Sequence, residues 1–261
     1  MQSDERFRAW LDDLETRHLA DLRFAEVTRA LRALSTTYVQ RRGRLATRGS
    51  LDSAGKRAAF ALFYGPLHYL LVRHVVSALP GAFRPFTGLL DLGCGTGAAG
   101  AAWAAATTPR SAVTGVDVHP WAVSEAATTY RAFGLAADVR RGQADRAPVP
   151  GESRAPRTTD GVLAAYVVNE LTAEARDALL PRLLAGGAAG ARILVVEPIA
   201  TSVSPWWPTW QAAFSAAGGR ADEWRIPVEL PPLVARLDRA AGLRHDVLTA
   251  RTLWLDGPAR R

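Results

Sequence analysis

Leu89-Leu90-Asp91-Leu92-Gly93-Cys94-Gly95-Thr96-Gly97 is the stretch whose reading decides the fold. It reads as a short buried strand running into a glycine turn, and the alanine-rich residues 98–107 behind it read as a helix. Glycines at 93, 95 and 97 permit positive φ and let a ligand approach the backbone closely. Working outward, strands are predicted at 88–92, 112–116, 137–141, 161–166 and 192–197, with helices at 98–107, 120–133 and 172–185. Short apolar strands alternating with helices are the pattern of βαβ units in a parallel sheet. Thr172 is placed to cap the last of these helices, and Gly186-Gly187 to end it.

The flanks differ from this middle. Residues 5–34 carry apolar positions at helical spacing, among them Phe7, Trp10, Leu14, Val27 and Leu31. Residues 54–79 are helical again, broken into two pieces at Gly65-Pro66, and Leu79-Pro80-Gly81 closes the section. Downstream, the proline-bounded Pro205-Trp206-Trp207-Pro208-Thr209-Trp210 reads as a loop. A helix runs from near Pro232 to Gly242, and 245–249 and 252–255 read as terminal strands. The chain thus divides into a helical lid over 1–82 and an α/β domain over 83–261 with a mostly parallel sheet of about seven strands.

Two ligand classes suit such a turn. Gly95-x-Gly97-x-x-Gly100, with Asp117 closing the next strand, meets the dinucleotide fingerprint. Asp91 argues against it. At the strand end, beside the space a pyrophosphate would fill, its carboxylate repels a dianion. The same charge suits S-adenosylmethionine, which carries an ammonium and a sulfonium.

Over residues 87–200 the sequence resembles the class I S-adenosylmethionine-dependent methyltransferases, which implies a Rossmann-like sheet. Asp91, Gly93, Cys94, Gly95 and Gly97 match the family's first motif. Asp117 matches its ribose-binding acid, and Val118 then lies against the adenine. Where the family has Gly-Asp-Ala after the third strand, this chain has Gly142-Gln143-Ala144, so a glutamine amide takes the adenine contact, with Asp145 as a fallback. Tyr166 to Leu171 then supply cofactor- and substrate-facing groups. Residues 57–69 and Asn169-Glu170-Leu171 also resemble the small-ribosomal-subunit methyltransferase-like family. That family carries a cysteine cluster for an iron–sulfur centre. Here Cys94 stands alone, which counts against a ribosomal role.

Methyl transfer is an in-line displacement, so positioning and water exclusion matter more than a strong base. The candidates for this chemistry are Asn169 and Glu170 after the fourth strand, Tyr64 beside His68 on the lid, and the Trp206 and Trp207 ring faces, which can hold a cation. Glu197 ends the fifth strand and serves structure or function equally well. A lid and a tryptophan wall enclose an apolar chamber, which suits a small-molecule acceptor better than a polynucleotide. Cyclisation of the cofactor itself to azetidine-2-carboxylate, releasing methylthioadenosine, is an alternative, with Asn169 orienting the amine.

Composition sets the outer bounds. The net charge of +7 is almost wholly arginine, since Lys56 is the single lysine. Arg41-Arg42-Gly43-Arg44 could meet phosphates, so nucleic acid stays open without being favoured. No apolar run approaches the ~18 residues of a membrane span. One cysteine, no metal-ligand spacing and a charged N-terminus imply a metal-free, cytoplasmic protein.

Overall fold

The computed structural model describes residues 2–40, 51–107, 109–155, 158–200 and 204–258. The basic run Arg41–Arg44 lies outside the described residues. Seven strands form one sheet: β1 Gly88–Leu92, β2 Ala112–Asp117, β3 Ala137–Arg141, β4 Thr159–Ala165, β5 Arg192–Glu197, β6 Arg220–Pro227 and β7 Val247–Asp256. Their order is β3-β2-β1-β4-β5-β7-β6. β1 to β5 run parallel, and β7 is antiparallel to both β5 and β6. The chain reverses its walk across the sheet between β1 and β4, which opens the crevice where α/β sheets bind ligands.

Helices α1 Gln2–His18, α2 Phe24–Gln40, α3 Ala54–Ala59 and α4 Gly65–Ala78 precede the sheet. Helices α5 Ala98–Ala104, α6 Pro120–Ala132, α7 Ala173–Ala188, α8 Trp207–Ala216 and α9 Pro232–Ala241 follow its strands. Local chemistry explains the starts. The Ser53 hydroxyl accepts from Lys56 N–H, Thr172 from Ala175 N–H, and His119 Nδ1 from Trp121 N–H. Pro66, Pro120 and Pro208 sit in first turns, where a missing N–H costs nothing.

Four features depart from the sequence expectations. The tryptophan segment is no loop: Pro208 starts α8, and Trp207 and Trp210 are buried on it. Helix α7 runs through Gly186 and Gly187 instead of stopping there. A Cβ at Gly187 would lie 2.2 Å from Leu255 Cδ2, so that glycine serves close packing against β7. Segments 245–249 and 252–255 are one strand, paired with β6, an edge strand whose polar sequence hid it. Finally, Gly65-Pro66 makes no break between helices. The π-turn Phe60–Tyr64 joins α3 to α4 continuously, and the extra residue per turn shifts which side chains face the sheet.

The N-terminal helices share their core with the sheet. Trp10 is 1% exposed and packs against Phe133 and Tyr69 at ring distances of 5.6 and 6.0 Å. Its indole N–H reaches the Thr129 hydroxyl at 3.2 Å, which ties α1 to α6. Arg17 forms a two-pronged pair with Glu125 at 2.8 and 2.9 Å, joined by His18 at 3.3 Å. Burial opposes ionisation of Glu125, but these hydrogen bonds outweigh it and hold its pKa down to about 2. Sequence spacing shows no partner for His18 or His245. The structure supplies Glu125 for the first and Asp238, at 2.5 Å, for the second.

Candidate active site

The crevice is built on the glycine loop. Gly93, Gly95 and Gly97 adopt φ of 63°, 53° and 76°, the left-handed region that costs other residues roughly 1–2 kcal/mol each. Close packing then fills the space beneath. A Cβ at Gly93 would overlap Val167, and one at Gly97 would lie 3.0 Å from Ala126 Cα. A Cβ at Gly100 would lie 2.2 Å from Asp91 Oδ2. The third glycine of the dinucleotide-like pattern is therefore required by α5 lying against Asp91, whichever cofactor binds.

Asp91 itself does not open onto the crevice. It is 1% exposed and accepts the Tyr130 hydroxyl at 2.7 Å. Burial, opposed by that hydrogen bond and helped by the charge of Asp117, raises its pKa to about 7. It lies beneath the loop, and the open carboxylate is Asp117. There Oδ2 accepts from Gly95 N–H at 3.0 Å and Oδ1 from His119 N–H at 2.8 Å. A carboxylate offers about four lone-pair sites, so two remain for a ligand. Beside it Val118 is 44% exposed, an apolar platform at the sheet edge. Gly142 N–H bonds Asp117 O at 2.9 Å, which sets exposed Gln143 and buried Ala144 next to that platform. Cys94 is buried within the loop, and burial pushes its thiol well up, leaving it unreactive.

Across the crevice, the segment after β4 is strained. Tyr166 has φ 59°, the single non-glycine in the positive region among the described residues. Its N–H is fixed by Val196 O at 2.8 Å, and its ring stacks on His68 at 4.2 Å and 17°. Such strain persists only where the surroundings over-determine it, and it gathers at functional sites. Burial lowers the His68 pKa to about 4, so its imidazole is neutral near pH 7. Tyr64 meets both Phe60 and His68, at 5.7 and 6.3 Å, and burial, eased by a hydrogen bond with Ser35, raises its phenol to about 12.

Asn169 is a hub, not a free ligand group. Its N–H and Nδ2 donate to the Glu197 carboxyl at 3.2 and 2.7 Å, while its Oδ1 accepts Ser204 Oγ and Trp206 Nε1 at 2.7 and 2.8 Å. Val168 N–H adds 2.9 Å to Glu197, which is fully buried and raised by burial to about 8. Trp207 is covered too: the Arg251 guanidinium lies 4.1 Å from its ring centroid, opposite Glu197 across β5 and β7. The Trp207 face expected to hold a cation is thus occupied by an arginine, while Trp206 is fixed by its in-plane N–H bond and packed by Trp207 and Trp210. Sequence spacing could not show Arg251, because its place depends on an antiparallel pairing 54 residues away in the chain. Glu170 remains available. Water reaches it, yet the protein around the crevice mouth, and then the charge of Asp117, raise its pKa above the usual carboxylate range.

Among the described residues there is no group of side chains that could hold a metal ion, and no helix is long and apolar enough to cross a membrane. The methyltransferase-domain family model matches residues 89–185, from the strand of the glycine loop to α7. A search of curated proteins gives no significant match. Among solved structures, a candidate O-methyltransferase of Nostoc punctiforme is similar at 14% identity and a TM-score of 0.51, covering 92% of this chain and 71% of that one. A SAM-dependent methyltransferase of Leishmania major is similar at 14% identity and a TM-score of 0.50, covering 83% and 81%. At such identities the structures speak for the fold, while the glycine loop and its motif lie inside the family match. Residues 89–185 match the methyltransferase-domain family model, and the chain has the Rossmann-like fold seen in these S-adenosylmethionine-dependent methyltransferase structures.

Proposed function

We infer that the chain binds S-adenosylmethionine in the crevice between β1, β2 and β4 and transfers its methyl group to a small molecule. The observation that carries this reading is Asp117, which grips the Gly95 N–H while keeping lone pairs for ribose hydroxyls beside the exposed Val118. Gln143 and Ala144 then border the adenine, and Gly93 to Gly97 underlie the methionine end. When bound, the cofactor supplies an electrophilic methyl group on a sulfonium.

The remaining work falls to this chain's own side chains. The helical segment α3–α4 roofs the loop and excludes water, with Phe60 against Gly95 and Gly65 against Thr96. Glu170, with its raised pKa, is suited to take a proton from an acceptor hydroxyl or amine near neutrality. Asn169 acts by holding Trp206 and Glu197 in place. The open carboxylate of Asp117 at the crevice favours a cationic cofactor and disfavours a phosphate backbone, which speaks for a small acceptor over RNA.

The product analysis is direct. Adenosylmethionine incubated with the enzyme alone should survive, and a suitable hydroxyl or amine acceptor should release adenosylhomocysteine. Enzyme-dependent methylthioadenosine from the cofactor alone would replace methyl transfer by intramolecular cyclisation. With Oδ1 accepting twice and Nδ2 donating to Glu197, Asn169 is poorly placed to orient the amine for that route.

A further inference from the structure

Four aromatic rings, Phe60, Tyr64, His68 and Tyr166, gather beside the glycine loop, and covering the loop does not by itself explain why all four are aromatic. Phe60 lies over Gly95, its ring 3.7 Å from where a Cβ would stand. Tyr64 follows at 5.7 Å from Phe60, His68 stands edge-on to Phe60 at 6.2 Å, and Tyr166 stacks on His68 at 4.2 Å. All four are half-buried, so each keeps part of its surface open. Residues 60, 64 and 68 lie on one side of the continuous helical segment, and Tyr166, with its strained backbone, stacks against His68 from the segment after β4. The rings bridge α4 and the segment after β4, so they span the point where the sheet order reverses. A ligand anchored by Asp117 at the end of β2 and running across β1 toward β4 would approach the side of the crevice on which these rings lie.

Aromatic rings are a preferred seat for a cation whose hydration is stripped away. Among the described residues no arginine or lysine covers the faces of Phe60, His68 or Tyr166, whereas Trp207, Phe7, Tyr69, Phe86 and Phe24 each carry an arginine. The His68 imidazole behaves as a neutral ring at physiological pH.

We propose that Phe60, Tyr64, His68 and Tyr166 form an aromatic cage for the positive charge of the cofactor, so that the protein discriminates the sulfonium of the substrate from the neutral thioether of the spent product. The inference rests on the S-adenosylmethionine reading and deepens it. Product release then follows from the chemistry itself: methyl transfer removes the charge that the cage holds.

Calorimetric titrations with adenosylmethionine, adenosylhomocysteine and sinefungin, which carries an ammonium in place of the sulfonium, test it without any acceptor. The wild type should bind the two cations roughly three- to thirty-fold more tightly than adenosylhomocysteine. Phe60→Leu and Tyr64→Leu, which keep apolar volume, should each erode that ratio and leave adenosylhomocysteine affinity within about two-fold. Equal or tighter binding of adenosylhomocysteine by the wild type would overturn the cage, as would an unchanged ratio in both variants. Failure of the folded wild type to bind any of the three ligands would instead overturn the cofactor reading on which the cage rests.

Discussion

Asp117→Ala is expected to weaken adenosylmethionine binding by ten-fold or more. A hydrogen bond to a charged group contributes about 1.5–3 kcal/mol, and two ribose hydroxyls are assigned to this carboxylate. The substitution also releases the Gly95 and His119 N–H groups, so the loop loses the tie that shapes it. Asp117→Asn keeps one acceptor oxygen and should fall between the two. The readout is the rise in Tm on adding ligand, which reports affinity by mass action and separates it from any change in the free protein. A ligand-induced shift identical in all three proteins would refute the assignment.

Trp10→Ala is expected to lower unfolding free energy by about 3–5 kcal/mol, the cost of emptying a large, closely packed core site. The ring stands between Phe7, Tyr69 and Phe133, and its loss also leaves the fully buried Thr129 hydroxyl without its donor. Denaturant unfolding followed by tryptophan fluorescence measures it. By the same reasoning the N-terminal helices α1 and α2 are expected to resist removal as a separable lid. Phe7, Trp10, Leu14, Val27, Leu31 and Leu34 belong to one apolar cluster with α4, α5 and α6, so trimming them strips the sheet of cover it needs to stay folded. A trimmed protein with the stability of the whole chain would show the helices to be a separable cap.

The middle of the chain was legible because each element there is locally self-consistent. Strands β1, β3 and β5 fall at their predicted bounds: β1 and β5 are short buried apolar runs, and the exposed β3 is bounded by Gly134 and Gly142. Asp117, Val118 and Gln143 come together at one edge of the sheet because strand ends in a parallel sheet align. What the sequence concealed was set by distant partners. Pro205 and Pro208 suggest a loop, yet Pro208 opens a helix because Trp207, Trp210 and Phe214 find apolar cover on the far face of the sheet. Asn169 has the right chemistry to touch a substrate, but Glu197, Ser204 and Trp206 take up its hydrogen bonds. In sequence Asp91 reads as the charge that selects a cationic cofactor, whereas in the structure burial and the Tyr130 hydrogen bond keep that carboxyl off the crevice and Asp117 is the open acid. The π-turn has no signature in hydrophobic spacing, because one added residue in a run as apolar as Phe60-Ala-Leu-Phe-Tyr64 changes no pattern.

The crevice over Gly93–Gly97 is expected to take S-adenosylmethionine and not a dinucleotide. Titration of the wild-type protein with adenosylmethionine and, separately, with NAD tests it most directly. Saturable one-to-one binding of adenosylmethionine with no heat from NAD is the expected result. Tight NAD binding, with adenosylmethionine ignored, would contradict it.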